Sequence, residues 1–372
     1  MLSRCAASRE HVIDLDMLTP STMLTHGGAR REHATHYMNS TTNQNVTSPW
    51  PHRWSVALAC ATFPLVWVGG LVTTTDSGMA VPDWPTTYGY NLFLYPLSTW
   101  LAGPWDIFVE HGHRLLGAAV GILTICLLLA LWRSEQRSWL RWLGVAALVM
   151  VVSQGVLGGM RVRYDLRELA MFHGTTGPLY FALTVAMAVL TSRSWQDGDT
   201  RVNHRQIPLM AVVTCILIYL QIVLGAVLRH VPVDSEPAAF ALAARFHLFM
   251  AAIVSMHIIA LVSLVLIRSR GVQPLGGLAV TLAGLLVLQL LLGASTWIIK
   301  FAAPSWAPNW VTVARGAVQE GSWLQTHVIT GHVAIGSLML ATSLALALYS
   351  LKLFARPRST GAMRIGILEA AV

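Results

Sequence analysis

Four histidines in this sequence could bind a metal ion, and each lies the same distance before a basic residue. The separation is 20 or 21 residues, and the segment between is almost wholly apolar. A helix that rises ~1.5 Å per residue covers about 30 Å in 20 residues, the thickness of the hydrocarbon core of a bilayer. The pairs are His113 and Arg133, His173 and Arg193, His247 and Arg268, and His332 and Lys352. The spacing therefore predicts four membrane helices that carry a histidine near one membrane face.

The chemistry that suits these histidines is ligation of haem iron. Neutral imidazole is a good axial ligand for iron, and ionisable groups inside membrane spans are costly and usually functional. One such histidine alone would more often be a structural residue, but four at one depth are hard to assign to packing. They form two potential pairs, His113 with His173 and His247 with His332. The pattern predicts two haem sites side by side.

Two nearby residues leave alternatives open. His327 competes with His332, but it would lie about 7 Å closer to the outer surface, so that depth matching favours His332. Glu110 stands three residues before His113, and residues three apart share one face of a helix. Glu110 is therefore either a functional carboxylate beside the first haem site or an interfacial carboxylate paired with Arg114.

Composition identifies the elements that must position these residues. The chain has 372 residues, of which 55% are hydrophobic and 11% charged, whereas soluble domains have about 25% charged residues. A polytopic protein of the lipid bilayer is expected, and no nucleic-acid partner, because the basic residues lie at the ends of apolar segments instead of forming a patch. The predicted spans are 54–73, 113–132, 139–160, 172–191, 207–228, 244–267, 275–299 and 324–351.

The spans repeat as two halves. Glycine recurs in the odd-numbered spans and histidine in the even-numbered ones. In three spans a glutamine precedes the glycine by four residues; the pairs are Gln154 and Gly158, Gln221 and Gly225, and Gln289 and Gly293. The first span keeps only the glycine, which we assign to Gly70. The glycines are expected to serve plain helix packing, and the glutamines either a hydrogen bond between helices or a contact to a bound group.

This repeat predicts an all-α membrane protein whose eight transmembrane helices form two pseudo-symmetric four-helix bundles around an axis normal to the membrane. The bundles would comprise residues 54–192 and 207–352, with a polar tail at 1–53, a cytoplasmic tail at 353–372 and a long outer loop, 74–112, that could act as a lid. Cytoplasmic termini would put 17 of the 25 Lys and Arg residues on the inner side and the histidines toward the outer face of the plasma membrane.

Several motifs make the chain resemble the haem A synthase family over about residues 54–352. They are Gly69-Gly70-Leu71-Val72, Ser77-Gly78, Asp83-Trp84-Pro85 and Glu110-x-x-His113-Arg114, together with the eight-span repeat. The resemblance implies an oxidoreductase that converts the C8 methyl group of haem O to a formyl group for terminal oxidases. It further implies haem O as substrate in the N-terminal half and a haem b cofactor in the C-terminal half.

Residue by residue, the resemblance implies that His113 and His173 face the substrate haem. His247 and His332, with His327 as the alternative, would be the axial ligands of haem b, and Glu110 matches the family's functionally important glutamate. The first outer loop lacks the cysteine pair of some members, so no thiol step is carried over. A haem O synthase and an electron donor or acceptor are candidate partners. The alternatives are a di-haem electron-transfer cytochrome and a haem transporter or chaperone.

Overall fold

The computed structural model describes residues 48–197, 206–232, 235–269, 271–300, 311 and 321–354. These ranges contain helices and connecting segments, without a β-strand. The helices are α1 (Trp50–Thr74), α2 (Leu97–Leu101), α3 (Trp105–Ser134), α4 (Ser138–Tyr164), α5 (Arg167–Thr191), α6 (Arg193–Asp197), α7 (Gln206–Arg229), α8 (Pro237–Arg268), α9 (Leu275–Lys300) and α10 (Trp323–Leu353). All but α2 and α6 are long and apolar enough to cross a membrane. The prediction of an all-α membrane protein with eight spans is confirmed.

Several helices extend further than the apolar segments that predicted them. α3 begins at Trp105 instead of 113, and α8 begins at Pro237 instead of 244. Hydropathy marks only the length in contact with hydrocarbon, whereas a helix continues as long as its backbone hydrogen bonds are made. Pro104 precedes α3, and Asp106 in its first turn interacts favourably with the positive end of the helix dipole. The predicted loop 74–112 was therefore too long, because the connection ends at residue 104.

The predicted terminal regions mostly fall outside the described residues. α1 starts at Trp50, so the predicted tail of residues 1–53 included the first turn of this helix. Residues 1–47 and 355–372 are not described.

We call the end of the helices that carries the connection 75–104 the loop side.

The eight long helices pack as two sets with the same arrangement. In the first set, contacts run from α1 to α3, α4, α5 and back to α1; in the second they run from α7 to α8, α9, α10 and back to α7. Between the sets, α5 packs on α10, and the contact of α1 with α10 is matched by that of α5 with α7. Replacing each helix of the first set by its equivalent in the second set leaves the pattern of contacts unchanged. A pseudo-twofold axis beside α5 and α10 has this effect.

The axis helices form the centre of the molecule. α10 and α5 are the most buried of the eight, and α10 buries mainly small residues, which permit close approach of helix backbones. The first set has its own apolar core, which includes Leu58, Leu127 and Met187. Phe181 of α5 instead joins the core of the second set, so that the two sets share a continuous apolar seam.

Candidate functional site

The structure brings the four histidines together as two pairs. The ring centres of His113 on α3 and His173 on α5 are 6.2 Å apart, with the ring planes at 88°. The ring centres of His247 on α8 and His332 on α10 are 6.3 Å apart, at 74°. Two imidazoles that share one metal ion through bonds of about 2.0–2.1 Å place their ring centres about 6.3 Å apart. Both pairs thus have the separation at which one iron fits between them.

A glycine on a neighbouring helix lies against each of these rings. A Cβ atom added to the glycine would meet Cε1 of the histidine at 2.9 to 3.3 Å, below the 3.5–4.0 Å of an ordinary carbon contact. The pairs are Gly69 with His113 at 3.0 Å, Gly158 with His173 at 3.3 Å, Gly225 with His247 at 3.2 Å, and Gly293 with His332 at 2.9 Å. Each histidine therefore occupies its position because the facing residue has no side chain.

This arrangement corrects two predictions about the glycines. The glycine of α1 that belongs to the repeat is Gly69, not Gly70, which instead faces Thr330 of α10. Plain helix packing is also an incomplete account, since the glycines accommodate the histidine rings as well as the helix backbones. The alternation of glycine and histidine along the sequence thus corresponds to direct contacts in the fold.

The buried polar atoms of the pairs fit a bound group. Nδ1 of His113, His173 and His332 is buried, and each ring interacts with the backbone of the residue four before its facing glycine, namely Leu65, Gln154 and Gln289. A histidine that binds a metal ion through one ring nitrogen usually directs the other nitrogen at a backbone carbonyl or a carboxylate. Six ångströms is also possible for a simple aromatic pair. The same separation in both sets, with the same backbone contact at three of the four rings, is compatible with one metal ion in each pair.

The glutamines of the repeat take different partners. Gln154 Nε2 donates to Thr176 Oγ1 on α5 at 2.5 Å. Gln221 Nε2 donates to the carbonyl oxygen of His247 at 3.0 Å and lies 3.1 Å from Nδ1 of the same residue. Oε1 of Gln289 is buried without a partner among the described residues. Two of the three glutamines therefore make the hydrogen bond between helices that the sequence left as one option.

The structure separates His327 from the second pair. His327 stacks on Trp323 with ring centres 5.3 Å apart and lies 6.1 Å from the ring of Trp67 on α1. The residue that faces His247 is His332. The two candidate histidines of α10 thus point to different neighbours, as their spacing of five residues implies.

Glu110 and Arg114 form a buried ion pair, the second of the two options for this carboxylate. Oε1 of Glu110 accepts from Arg114 at 2.7 Å, and Oε2 accepts from the backbone N–H of Val81 at 2.8 Å. Arg114 also donates to the carbonyl oxygens of Val81, Asp83 and Thr86, at 2.7 to 2.9 Å. A buried ion pair is tolerated when its remaining hydrogen bonds are made. The pair fastens the connection after α1 to α3.

A second anchor holds the same connection against α4. The indole of Trp84 lies directly on Gly159, where no side chain would fit, and the adjacent Gly158 is the residue that contacts His173. Sequence reasoning noted Trp84 as part of a motif but could not identify this partner. The connection 75–104 therefore packs beside the first histidine pair, where the sequence predicted a lid.

The turn that carries Trp84 is organised by Asp83. Its carboxylate accepts from Thr86 Oγ1 at 2.5 Å and from the backbone N–H groups of Tyr88 and Gly89 at 2.7 and 2.9 Å. Burial by itself would raise the pKa of Asp83, but these hydrogen bonds outweigh it and hold the pKa below its usual value. The turn therefore contains an ionised aspartate at neutral pH.

Comparison with known proteins gives matches to one group. Residues 104–233 match the family model described as cytochrome oxidase assembly protein. A "Heme A synthase" of Shouchella clausii is 29% identical over 170 residues, which cover 44% of this chain and 53% of that protein. The "Heme A synthase" of Lysinibacillus sphaericus is 30% identical over 152 residues, covering 38% and 45%, and that of Rhizorhabdus wittichii is 24% identical over 214 residues, covering 48% and 60%.

This chain is similar to the haem A synthases over part of its length. The chain spans about half the length of these curated relatives in the first matches. The family model covers Glu110, His113 and His173 on α3 and α5, whereas His247 and His332 lie beyond it. The comparisons therefore bear most directly on the set of helices that holds the first histidine pair.

Proposed function

We propose that this chain is a haem A synthase, a membrane oxidoreductase that converts the C8 methyl group of haem O to a formyl group. The observation that carries the proposal is the presence of two histidine pairs on equivalent helices with ring centres 6.2 and 6.3 Å apart. Relatives that bear the name "Heme A synthase" support the same reaction. The lipid bilayer is the setting, and a haem O synthase and an electron donor or acceptor are the proposed partners.

The two pairs have different tasks in this proposal. His113 and His173 hold the substrate haem O, while His247 and His332 hold haem b as the resident cofactor. Haem b, when bound, supplies one-electron oxidation and reduction. The assignment follows the resemblance to the family, in which the C-terminal half carries the cofactor. The connection 75–104, anchored beside His173 through Trp84, excludes water from the substrate side.

Glu110 is the carboxylate that we assign to the reaction. It lies one helical turn before His113, and its buried carboxylate accepts hydrogen bonds from the Arg114 guanidinium and from the Val81 N–H. A fixed negative charge near the substrate can accept a proton or stabilise developing positive charge. The same contacts also hold the loop, so the two roles are separated by substituting Glu110 with glutamine, which keeps the shape of the side chain.

The proposed orientation places the termini in the cytoplasm and both histidine pairs toward the outer face of the plasma membrane. It rests on the greater number of Lys and Arg residues assigned to the inner side. A reporter that is active only outside the cytoplasm should be silent after Val372 and active when inserted near Pro82. The opposite result would reverse the orientation.

The deciding experiment is extraction and chromatography of the haems bound to the full chain, expressed with a supply of haem O. Haem b together with haem O and haem A supports the synthase. Haem b alone would instead favour an electron-transfer cytochrome. Bound haem O without any haem A, in the presence of oxygen and reductant, would favour a transporter or chaperone.

A further inference from the structure

Arg161 differs from the other arginines near the first histidine pair. It lies on α4, three residues after Gly158, and its guanidinium rests directly on Gly78 of the connection 75–104, where no side chain would fit. Arg114 pairs with Glu110, whereas Arg161 makes no hydrogen bond or ion pair with any residue that the structure describes. A half-buried guanidinium is thus held in place by the loop, and no described residue is its acidic partner.

The charge of Arg161 acts on the functional site. It interacts electrostatically with the rings of His113, His173 and His230. Burial lowers the pKa of His230 below its usual value, and the positive charges of Arg229, Arg161 and Arg167 lower it further, against the opposing effect of the Ala226 carbonyl. Three arginines therefore act together on one histidine at the loop side.

A guanidinium in the position of Arg161 favours a bound anion. Positive charge at the edge of the hydrocarbon costs energy when it has no partner. Arg161 and Arg167 also lie on the side that the charge rule assigns to fewer basic residues, so membrane orientation does not explain their presence. Arg229 is different, because it donates to Thr74 Oγ1 at 2.6 Å and to the Gly70 carbonyl at 3.3 Å and so connects α7 to α1.

We infer that Arg161 binds a propionate carboxylate of the porphyrin held between His113 and His173. The inference rests on the proposed function, since it takes haem O as the occupant of this pair. A guanidinium forms two parallel hydrogen bonds with a carboxylate, which fixes direction as well as position. Gly78 leaves room for the guanidinium, and the loop presents it at the same end of α4 as the glycine that contacts His173.

This contact distinguishes the two haem positions. At the equivalent position of α9, three residues after Gly293, the residue is Thr296, so this position of the second set has no guanidinium. The methyl group that the proposed reaction oxidises is a ring neighbour of a propionate-bearing carbon. Holding a propionate therefore limits which methyl groups can lie on the reacting side to those that flank the propionates, and Arg161 becomes an orienting residue for the substrate.

The test compares two probes that differ only in the carboxylates, protohaem IX and its dimethyl ester. The purified full chain, isolated from cells that make no haem O and containing its resident haem b, is titrated with each probe in detergent and followed by Soret absorbance. A charge-assisted hydrogen bond contributes enough for the wild type to prefer the free acid by about tenfold to a hundredfold. Arg161→Gln should abolish this preference, and Arg161→Lys should retain part of it, because Lys keeps the charge without the planar fork.

Arg163→Gln is the matched control, because Arg163 is exposed, lies two residues further along the same helix and loses the same charge. It should keep the wild-type preference. If Arg161→Gln keeps the preference, or weakens both probes equally, Arg161 merely supports the loop and the inference is wrong. If the wild type binds neither probe at a site that depends on His173, the proposed function itself fails.

Discussion

The contact between Gly293 and the His332 ring allows a graded test of the second histidine pair. Alanine at residue 293 would place its Cβ 2.9 Å from Cε1 of His332, whereas alanine at Gly225 would place it 3.2 Å from Cε1 of His247. An ordinary carbon contact begins at about 3.5 Å, so the rings would have to move by about 0.6 Å and 0.3 Å, respectively. A functional group must remain within about 0.5 Å of its productive position. Only the first substitution exceeds this limit.

The expected cost follows from these displacements. Overpacking of a filled interior costs about 1–3 kcal/mol, which corresponds to a roughly 5- to 150-fold weaker hold on the bound group. Gly293→Ala should lie in this range and Gly225→Ala near its lower end. Gly284→Ala is the matched control on the same helix as Gly293, since its Cβ would meet nothing within 4 Å. It should leave the site unchanged, because alanine also favours the helix.

The assay is the amount of haem b per protein in detergent-purified variants, measured as the pyridine haemochrome, together with the temperature at which the Soret band is lost. We expect haem b retention to fall in the order Gly284→Ala, Gly225→Ala, Gly293→Ala. Equal retention in Gly284→Ala and Gly293→Ala would refute the reasoning, as would a larger loss in Gly225→Ala than in Gly293→Ala.

Three further predictions concern the histidines, the carboxylate and the loop. His332→Ala should lose haem b and its low-spin spectrum while His327→Ala keeps both; the reverse result would show that His327 is the ligand. Glu110→Gln should reach normal membrane levels with near-normal haem b but produce haem A about a hundredfold or more slowly, with haem O accumulating; a wild-type rate would leave Glu110 only its role in holding the loop. Because the pKa of Asp83 is lowered in the folded protein, its stabilisation of the loop is complete above the ordinary aspartate pKa of about 3.9 and is lost as pH falls through the lowered value. Hydrogen exchange within residues 75–104 should therefore accelerate only in strong acid, and an unchanged rate in Asp83→Asn at neutral pH would contradict this role of the carboxylate.

The sequence was sufficient for the eight spans and for the internal repeat. Lipid imposes a length of about 20 apolar residues on each helix, and this constraint is local, so it can be read along the chain. The alternation of glycine and histidine also predicted equivalent helices. Helices α3 and α8 begin earlier in the chain than the sequence predicted. Hydropathy reports contact with lipid, whereas a helix extends as far as its backbone hydrogen bonds are made.

Only the tertiary structure decided which neighbouring helix each residue faces, because this depends on the position of the residue around the helix axis. His327 and His332 differ by about 140° around α10, and Gly69 and Gly70 differ by about 100° around α1. Which member of each pair faces a histidine ring depends on how the helix is rotated against its neighbours, and that rotation is set by packing over the whole bundle. The contacts of Trp84 with Gly159 and of Arg161 with Gly78 likewise join residues distant in the chain. Local sequence specifies each residue type, but only the packed helices bring those residues together.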